Sequence, residues 1–189
     1  MSAFEFFFSF YGLILGLSVV EVITGLVRVF KQRQRVRIGW LTPMLALFVL
    51  LDISSFWLAA WFSMQDLDVS YRMIFIGLVI AGIYYAAASL VTPGDPAEWP
   101  DFDDFYDSHK RYVLAGIAIA NFMAFEVVRM LSDGGVMAWL AGNADPRVWI
   151  QLILNYLLLL LLILIRNRRI NIALLGFGIG MYLLTAVIA

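Results

Sequence analysis

Six long apolar runs alternate with short polar segments along the 189-residue chain. A helix needs about 20 mostly apolar residues to cross the hydrocarbon layer of a bilayer, and each run approaches that length. The pattern therefore predicts an all-α polytopic membrane protein, in which residues 1–189 form one bundle of six transmembrane helices. We expect the spans at about residues 6–27, 41–63, 73–92, 112–131, 148–165 and 170–189.

A polar, Asp-rich segment separates the third and fourth spans. Within it, Trp99, Phe102, Phe105 and Tyr106 recur at intervals of three and four residues, which is the period of a helix. We therefore expect a short amphipathic helix at about residues 100–111.

The acidic face of this helix has two interpretations. It could form a divalent-metal site, or it could dock on the basic residues 31–37. The spacing of the acids copies no known metal loop, which favours docking. The candidate ligands in the metal interpretation are Asp101, Asp103, Asp104, Asp107 and His109.

Basic residues are distributed unevenly between the two sets of alternating loops. Ten of the thirteen fall on one side, and cytoplasmic loops of membrane proteins carry such an excess. We expect a multi-pass protein of the cell membrane, such as a bacterial inner membrane, with both termini outside and no cleavable signal peptide. The ten are Arg28, Lys31, Arg33, Arg35, Arg37, Lys110, Arg111, Arg166, Arg168 and Arg169; the other three are Arg72, Arg129 and Arg147.

Composition excludes several classes of chemistry. Hydrophobic residues make up 63% of the chain, and the mean hydropathy is +0.89. The chain has no cysteine, so disulfides and thiolate metal sites are excluded, and its one histidine cannot supply both ligands of a haem. No Ser–His, HExxH or thiol arrangement is present, so we expect no enzymatic activity. We also expect no cofactor and no nucleic-acid partner.

Ionisable side chains inside the apolar runs are the candidate functional residues. Asp52 lies near the middle of the second span, where a carboxylate costs roughly 2.5–3.5 kcal/mol and needs a partner, a proton or water. From the cytoplasmic ends of their spans, Asp52, Glu126 and Asn155 lie at depths of roughly 18, 21 and 16 Å. Arg129 is one turn from Glu126, while Glu21 lies nearer the cytoplasm. The candidates for a proton or ion pathway are thus Asp52, Glu21, Glu126, Arg129 and Asn155.

The same residues have a structural interpretation, in which they bond one another and fix the packing of the helices. For Asp52 both interpretations stay open. Glu126 with Arg129 favours a structural ion pair, and Asn155 alone favours an interhelical hydrogen bond.

Weak internal similarity suggests a 3+3 inverted repeat as an alternative description of the bundle. Transporters built from such repeats bind their substrates near the midplane. Short matches between apolar helices also arise by chance, so the repeat is a hypothesis. The matches are Val-Glu-Val-Ile with Phe-Glu-Val-Val around Glu21 and Glu126, Pro43 and Asp52 with Pro146 and Asn155, and residues 82–84 with 180–182.

Two functions compete on this evidence. The first is a small membrane channel or proton-coupled carrier for an ion or small solute, with the buried carboxylates as relay groups. The second is a non-catalytic accessory or scaffold subunit that binds another membrane protein. The expected partners are the lipid bilayer and either further copies of this chain or another membrane protein.

Overall fold

Six helices make up most of the molecule in a computed structural model that describes residues 3–63, 70–128, 135 and 146–188. The all-α prediction is confirmed, with 85% of the described residues helical. Within those ranges the only strand-like pairing is an isolated bridge between Arg37 and Asp101. The helices are α1 (Ala3–Lys31), α2 (Leu41–Ser63), α3 (Tyr71–Ser89), α4 (Phe102–Asn121), α5 (Pro146–Leu164) and α6 (Arg168–Ile188); a 3₁₀ turn (Pro96–Glu98) precedes α4, and a π-helical segment (Phe122–Val127) extends it.

Four of the helices are long and apolar enough to cross a membrane, namely α1, α2, α3 and α6. The apolar part of α5, Trp149–Leu164, is shorter. Helix α4 starts with the acidic residues Asp103 and Asp104 and becomes apolar in its second half. This set of helices is compatible with a multi-pass membrane protein.

Helices α2 and α4 lie at the centre of the packing, since α2 contacts α1, α4 and α6, and α4 also contacts α3 and α5. Helix α1 packs along α3, α3 packs along α4, and α4 packs along α5. The buried residues of α2 are spaced at three and four, so they form a continuous face toward the neighbouring helices. They include Leu41, Leu45, Phe48, Val49, Ile53, Phe56 and Ala60.

The outer surface of the bundle is apolar as well. Helix α1 exposes a stripe of large hydrophobic side chains on the face opposite its packed one, and α6 does the same. A surface of this extent is typical of a protein surrounded by lipid, because soluble proteins rarely expose contiguous apolar patches larger than a few hundred Å². The stripe on α1 consists of Phe6, Phe10, Leu13, Leu17, Val20, Ile23 and Val27.

Three connections meet at one end of the bundle, which we call the basic end: residues 32–40, residues 90–101 and the α5–α6 turn at residues 165–167. A guanidinium nitrogen of Arg37 lies 3.7 Å from a carboxylate oxygen of Asp101. The Leu41 amide donates to Asp103 at 3.0 Å, so Asp103 caps the start of α2 from another helix. Burial raises the pKa of the Asp103 carboxyl. The Thr42 hydroxyl also donates, at 2.7 Å, to the carbonyl of Phe102.

The acidic face of α4 pairs with Arg168 at the start of α6, so the expected docking on residues 31–37 holds only for Asp101, which pairs with Arg37. Arg168 donates to Asp107 at 2.7 Å and also pairs with Asp104. In the predicted basic loop, Arg33 instead lies over the ring of Phe30, 4.4 Å from its centroid. The rotation of α4 about its axis explains this pairing. Helix α4 turns its aromatic side chains, Phe102, Phe105 and Tyr106, into the core. Asp104 and Asp107 then lie beside the start of α6.

The metal interpretation of the same segment has no support from the geometry. Among the described residues, no group of three or more histidines and acids is placed to hold a metal ion. His109 stacks on the Phe105 ring, with centroids 4.0 Å apart.

The contact between α1 and α2 depends on Gly12, and we expect Gly12→Ala to lower stability by about 1–3 kcal/mol, the usual effect of overpacking. A Cβ at this position would overlap the indole ring of Trp57, which is itself packed edge-on against Phe8 at 5.0 Å. Gly16 is the matched control, because a Cβ there meets nothing within 4 Å. Gly16→Ala should be neutral or stabilising by up to about 1 kcal/mol through helix propensity. Thermal unfolding of both variants in detergent compares them, and equal melting temperatures would contradict the assignment.

Candidate functional site: a polar cavity at Asp52

A cavity of about 310 Å³ lies in the half of the bundle remote from the basic end. Polar side chains from α2, α4, α5 and α6 converge on it. Asp52, Glu126 and Asn155, whose depths along their spans predict one polar layer, all line this cavity. Its lining residues are Asp52, Ser55, Phe56, Ala59, Asn121, Phe125, Glu126, Gln151, Leu152, Asn155, Tyr156 and Tyr182.

Asp52 lies at the floor of this cavity with only 3% of its surface exposed. Its Oδ1 accepts hydrogen bonds from the Tyr182 hydroxyl at 2.7 Å and from the Asn121 amide at 3.3 Å. Its Oδ2 lies 2.8 Å from the Tyr84 hydroxyl, which in turn lies 2.9 Å from Oδ1 of Asn121. Asp52, Tyr84 and Asn121 therefore form a closed ring of three short polar contacts, which we call the Asp52 ring.

The number of hydrogens in the Asp52 ring indicates the protonation state of Asp52. Tyr84 has one hydroxyl hydrogen, and the Asn121 amide group directs its NH₂ toward one neighbour and its oxygen toward the other. An ionised Asp52 therefore leaves two hydrogens for three contacts, and two acceptors would face each other across one of them. A proton on Asp52 supplies the third hydrogen, whichever way the amide is turned. A buried polar group without a hydrogen bond costs about 1–3 kcal/mol, so the ring favours a neutral carboxylic acid.

Below Asp52, toward the basic end, the buried faces of α2 and α4 are apolar. On α2 no polar residue lies between Asp52 and Thr42, ten residues or about 15 Å away along the helix. On α4 the buried residues between Lys110 and Asn121 are likewise apolar. The cavity therefore ends at Asp52 against an apolar barrier. The barrier comprises Leu45, Phe48 and Val49 from α2 and Val113, Leu114, Ile117 and Ala120 from α4.

The π-helical segment explains how α4 contributes two polar groups to one cavity. In an α-helix, Asn121 and Glu126 would point about 140° apart, since five residues turn the helix by 500°. A π-helix links residues five apart, and it commonly occurs as a single turn at functional sites. The segment Phe122–Val127 thus brings both side chains to the cavity.

Two of the candidate pathway residues from the sequence do not belong to the described cavity. Glu21 forms an ion pair with Arg28 at 3.1 Å, near the basic end, and Arg28 also donates to the carbonyl of Gly94. Arg129 lies outside the described residues, so its proposed pair with Glu126 stays a hypothesis. Glu126 and Asn155 both line the cavity.

Sequence reasoning missed three of the groups that hold Asp52: Tyr84, Asn121 and Tyr182. Asn121 is the only amide in the apolar half of α4, and that position was a signal that could have been followed. The two tyrosines resemble ordinary aromatic residues of a membrane span. The match between residues 82–84 and 180–182 indicates a repeat but gives no role to the two hydroxyls.

Comparison with protein-family models, with curated proteins and with solved structures finds no match to this chain. The chemistry of the cavity is therefore the basis for a functional assignment.

Proposed function

We propose that the protein is a six-helix membrane carrier that couples the movement of a small polar solute or cation to protonation of Asp52. One observation carries this proposal: a carboxyl whose ring favours a bound proton forms the floor of a polar cavity that ends at an apolar barrier. Ionisable groups inside a membrane span are functional candidates because burying them in lipid is costly.

The charge distribution supports an orientation of the cavity in the membrane. The basic end carries most of the arginines and lysines, so it faces the cytoplasm, and both chain termini face outside. Helices α4 and α5 then complete the six spans, with the apolar half of α4 and its π-helical segment crossing the outer part of the bilayer. In this orientation the cavity faces outward and the apolar barrier lies on the cytoplasmic side.

Protonation and solute binding are linked through the Asp52 ring. When Asp52 gives its proton to water in the cavity, the Asp52 ring loses one of its three hydrogens. A negative charge then appears at the floor of the cavity. A cation, or a solute with hydrogen-bond donors, then compensates this charge. Rearrangement of Asn121 and Tyr84 would loosen the contact of α2 with α3 and α4. Access to Asp52 could then alternate between the two sides of the membrane.

The apolar barrier favours a carrier over a continuously open channel. A channel needs a polar or wide path along its whole length, whereas about 15 Å of packed apolar core separates Asp52 from Thr42. The fifth span agrees with this, since its cavity residues Gln151 and Asn155 lie in its outer half.

The 3+3 repeat gains some support from the hydrogen bonds of Asp52. The tyrosines at the matched positions 84 and 182 both lie within hydrogen-bond distance of this carboxyl. The packing of the two halves differs, however, because α1 packs closely along α3 while α4 and α6 have no comparable interface in the described part of the chain. The 3+3 repeat therefore stays a hypothesis within this proposal.

Cysteine accessibility tests the outward-facing cavity, since the native chain has no cysteine. Ser55 lines the cavity, whereas the exposed Ser54 is not among its lining residues and bonds the Leu50 carbonyl of its own helix. A charged, membrane-impermeant thiol reagent added outside should modify Ser55→Cys at least tenfold faster than Ser54→Cys, because the thiolate forms only in contact with water. Equal rates would contradict a water-accessible cavity.

Transport itself is measured in proteoliposomes that carry a pH gradient and a panel of ions and small solutes. Proton movement that depends on one of them supports the carrier. A protein that moves no protons under any of these conditions would favour the accessory-subunit function instead.

A further inference from the structure

A second cavity, of about 410 Å³, lies at the basic end and has no part in the proposed transport. It is formed by the segment of α4 around residue 110 together with the α5–α6 turn. Its lining residues are Asp107, Ser108, Lys110, Arg111, Tyr112 and Arg166.

The charge available in this cavity is positive. The one acid, Asp107, is already engaged by Arg168 at 2.7 Å. Arg111 and Arg166 are exposed, and neither guanidinium has a hydrogen-bond or ion-pair partner within the described ranges. Two unpaired guanidinium groups beside one pocket favour an anion with several acceptor oxygens, because each can donate two parallel hydrogen bonds to a phosphate.

An exposed apolar surface lies next to this cavity, on the side that faces the membrane. Tyr112, which lines the cavity, is 67% exposed, and Ile119, two turns further along α4, is 52% exposed. On the neighbouring helix, Leu164 is 62% exposed just before Arg166. A free phosphate ion has no use for this apolar surface, whereas the acyl chains of a lipid would cover it.

We propose that this cavity binds the phosphate of an anionic phospholipid, held by Arg111 and Arg166, with the acyl chains along the exposed faces of α4 and α5. Basic pockets between transmembrane helices on the cytoplasmic side are suited to anionic headgroups. The site depends on the membrane location of the chain and is independent of any transport through the Asp52 cavity.

Native mass spectrometry of the full-length protein in detergent tests the site with phosphatidylglycerol and phosphatidylcholine as probes. We expect the wild type to bind phosphatidylglycerol more tightly, because the choline headgroup carries a compensating cation. The double variant Arg111→Gln/Arg166→Gln should bind phosphatidylglycerol about 25-fold more weakly, since each basic residue near an anionic headgroup contributes roughly fivefold. Its melting temperature without lipid should equal that of the wild type, because neither side chain has a partner to lose among the residues that the structure describes.

The matched control removes the same charge elsewhere at the basic end. Arg35 and Arg169 are exposed and do not line the cavity, so Arg35→Gln/Arg169→Gln should keep the preference for phosphatidylglycerol. Equal weakening in both double variants would indicate diffuse attraction and overturn the site, as would full binding by Arg111→Gln/Arg166→Gln. Complete displacement of the lipid by inorganic phosphate at millimolar concentration would overturn the lipid as the ligand. Arg111→Lys/Arg166→Lys, which keeps the charge, should retain most of the binding.

Discussion

Asp52→Asn is expected to abolish proton-coupled flux while leaving the fold intact. An asparagine at this position has the hydrogen pattern of a protonated aspartic acid. Its amide donates to the Tyr84 hydroxyl, and its oxygen accepts from Asn121 and Tyr182, so the Asp52 ring keeps three hydrogens for three contacts. The side chain can no longer release a proton, and the coupling step is lost. The melting temperature should stay within a few degrees of the wild type, corresponding to about 1 kcal/mol or less.

The control for this prediction is Asp52→Leu, which has a similar volume but no polar atoms. It leaves Tyr84, Asn121 and Tyr182 without their shared partner in a buried position. Each unsatisfied buried group costs about 1–3 kcal/mol, but Tyr84 and Asn121 still bond each other, so the leucine variant should be less stable by about 2–4 kcal/mol.

Thermal unfolding and proton flux in proteoliposomes are measured on all three proteins. Flux through Asp52→Asn at the wild-type rate would remove Asp52 from the transport mechanism. An asparagine variant as unstable as the leucine variant would show that the ring contains an ionised carboxylate.

The helices follow from the sequence because a long apolar run can bury its backbone polar groups only as a helix. Their ends depend on local chemistry that hydropathy does not show. The third helix begins at Tyr71, two residues before its apolar run, since the Ser70 side chain accepts a hydrogen bond from the Met73 amide and caps the first turn. It ends at Ser89, three residues before the expected end of the span at residue 92.

The site could be predicted only in part, because a sequence gives depth along a helix but not rotation between helices. The rise per residue placed Asp52, Glu126 and Asn155 in one layer, and they line one cavity. Which groups bond Asp52 depends on how α2 faces its neighbours. The hydroxyls of Tyr84 and Tyr182 could therefore not be distinguished from those of other tyrosines before the packing was known.

The ion pairs of α4 could likewise be predicted only in part, because they too depend on the rotation of the helix. The sequence indicated that the acids of residues 101–107 would meet basic residues, but it offered two basic segments on one side of the bundle. The choice between them depends on the buried face of α4, which turns Asp104 and Asp107 toward Arg168.

Lys110 gives a second large expected effect, on the stability of the fold. Its side chain is 2% exposed, and its ammonium donates to the carbonyl of Ile165 and, at 3.2 Å, to the Asn171 side chain. Asn171 donates in turn to the carbonyls of Ile165 and Asn167 at 2.9 and 3.0 Å. Carbonyls at the end of a helix have no partner within it, so Lys110 and Asn171 together cap α5 and hold the α5–α6 turn against α4.

Lys110→Met is therefore expected to lower the free energy of unfolding by about 2–3 kcal/mol. Methionine keeps most of the apolar stem but leaves the buried oxygen of Asn171 without a donor. Hydrogen bonds from charged groups contribute about 1.5–3 kcal/mol each. Burial lowers the pKa of the Lys110 ammonium, so desolvation offsets part of this gain, and the expected loss is below the sum for two such bonds. At this chain length the melting temperature should fall by roughly 4–12 °C.

The adjacent Arg111→Met, measured without lipid, is the control, since it removes the same charge from an exposed side chain without a partner among the described residues, and it should unfold within about 1 °C of the wild type. A double-mutant cycle with Asn171→Ala then isolates the contact between Lys110 and Asn171. Because the two side chains share the Ile165 carbonyl, their effects should be less than additive, with a coupling of about 1 kcal/mol or more. If Lys110→Met and Arg111→Met unfold at the same temperature, or if the effects at 110 and 171 simply add, Lys110 does not cap α5 in the folded protein.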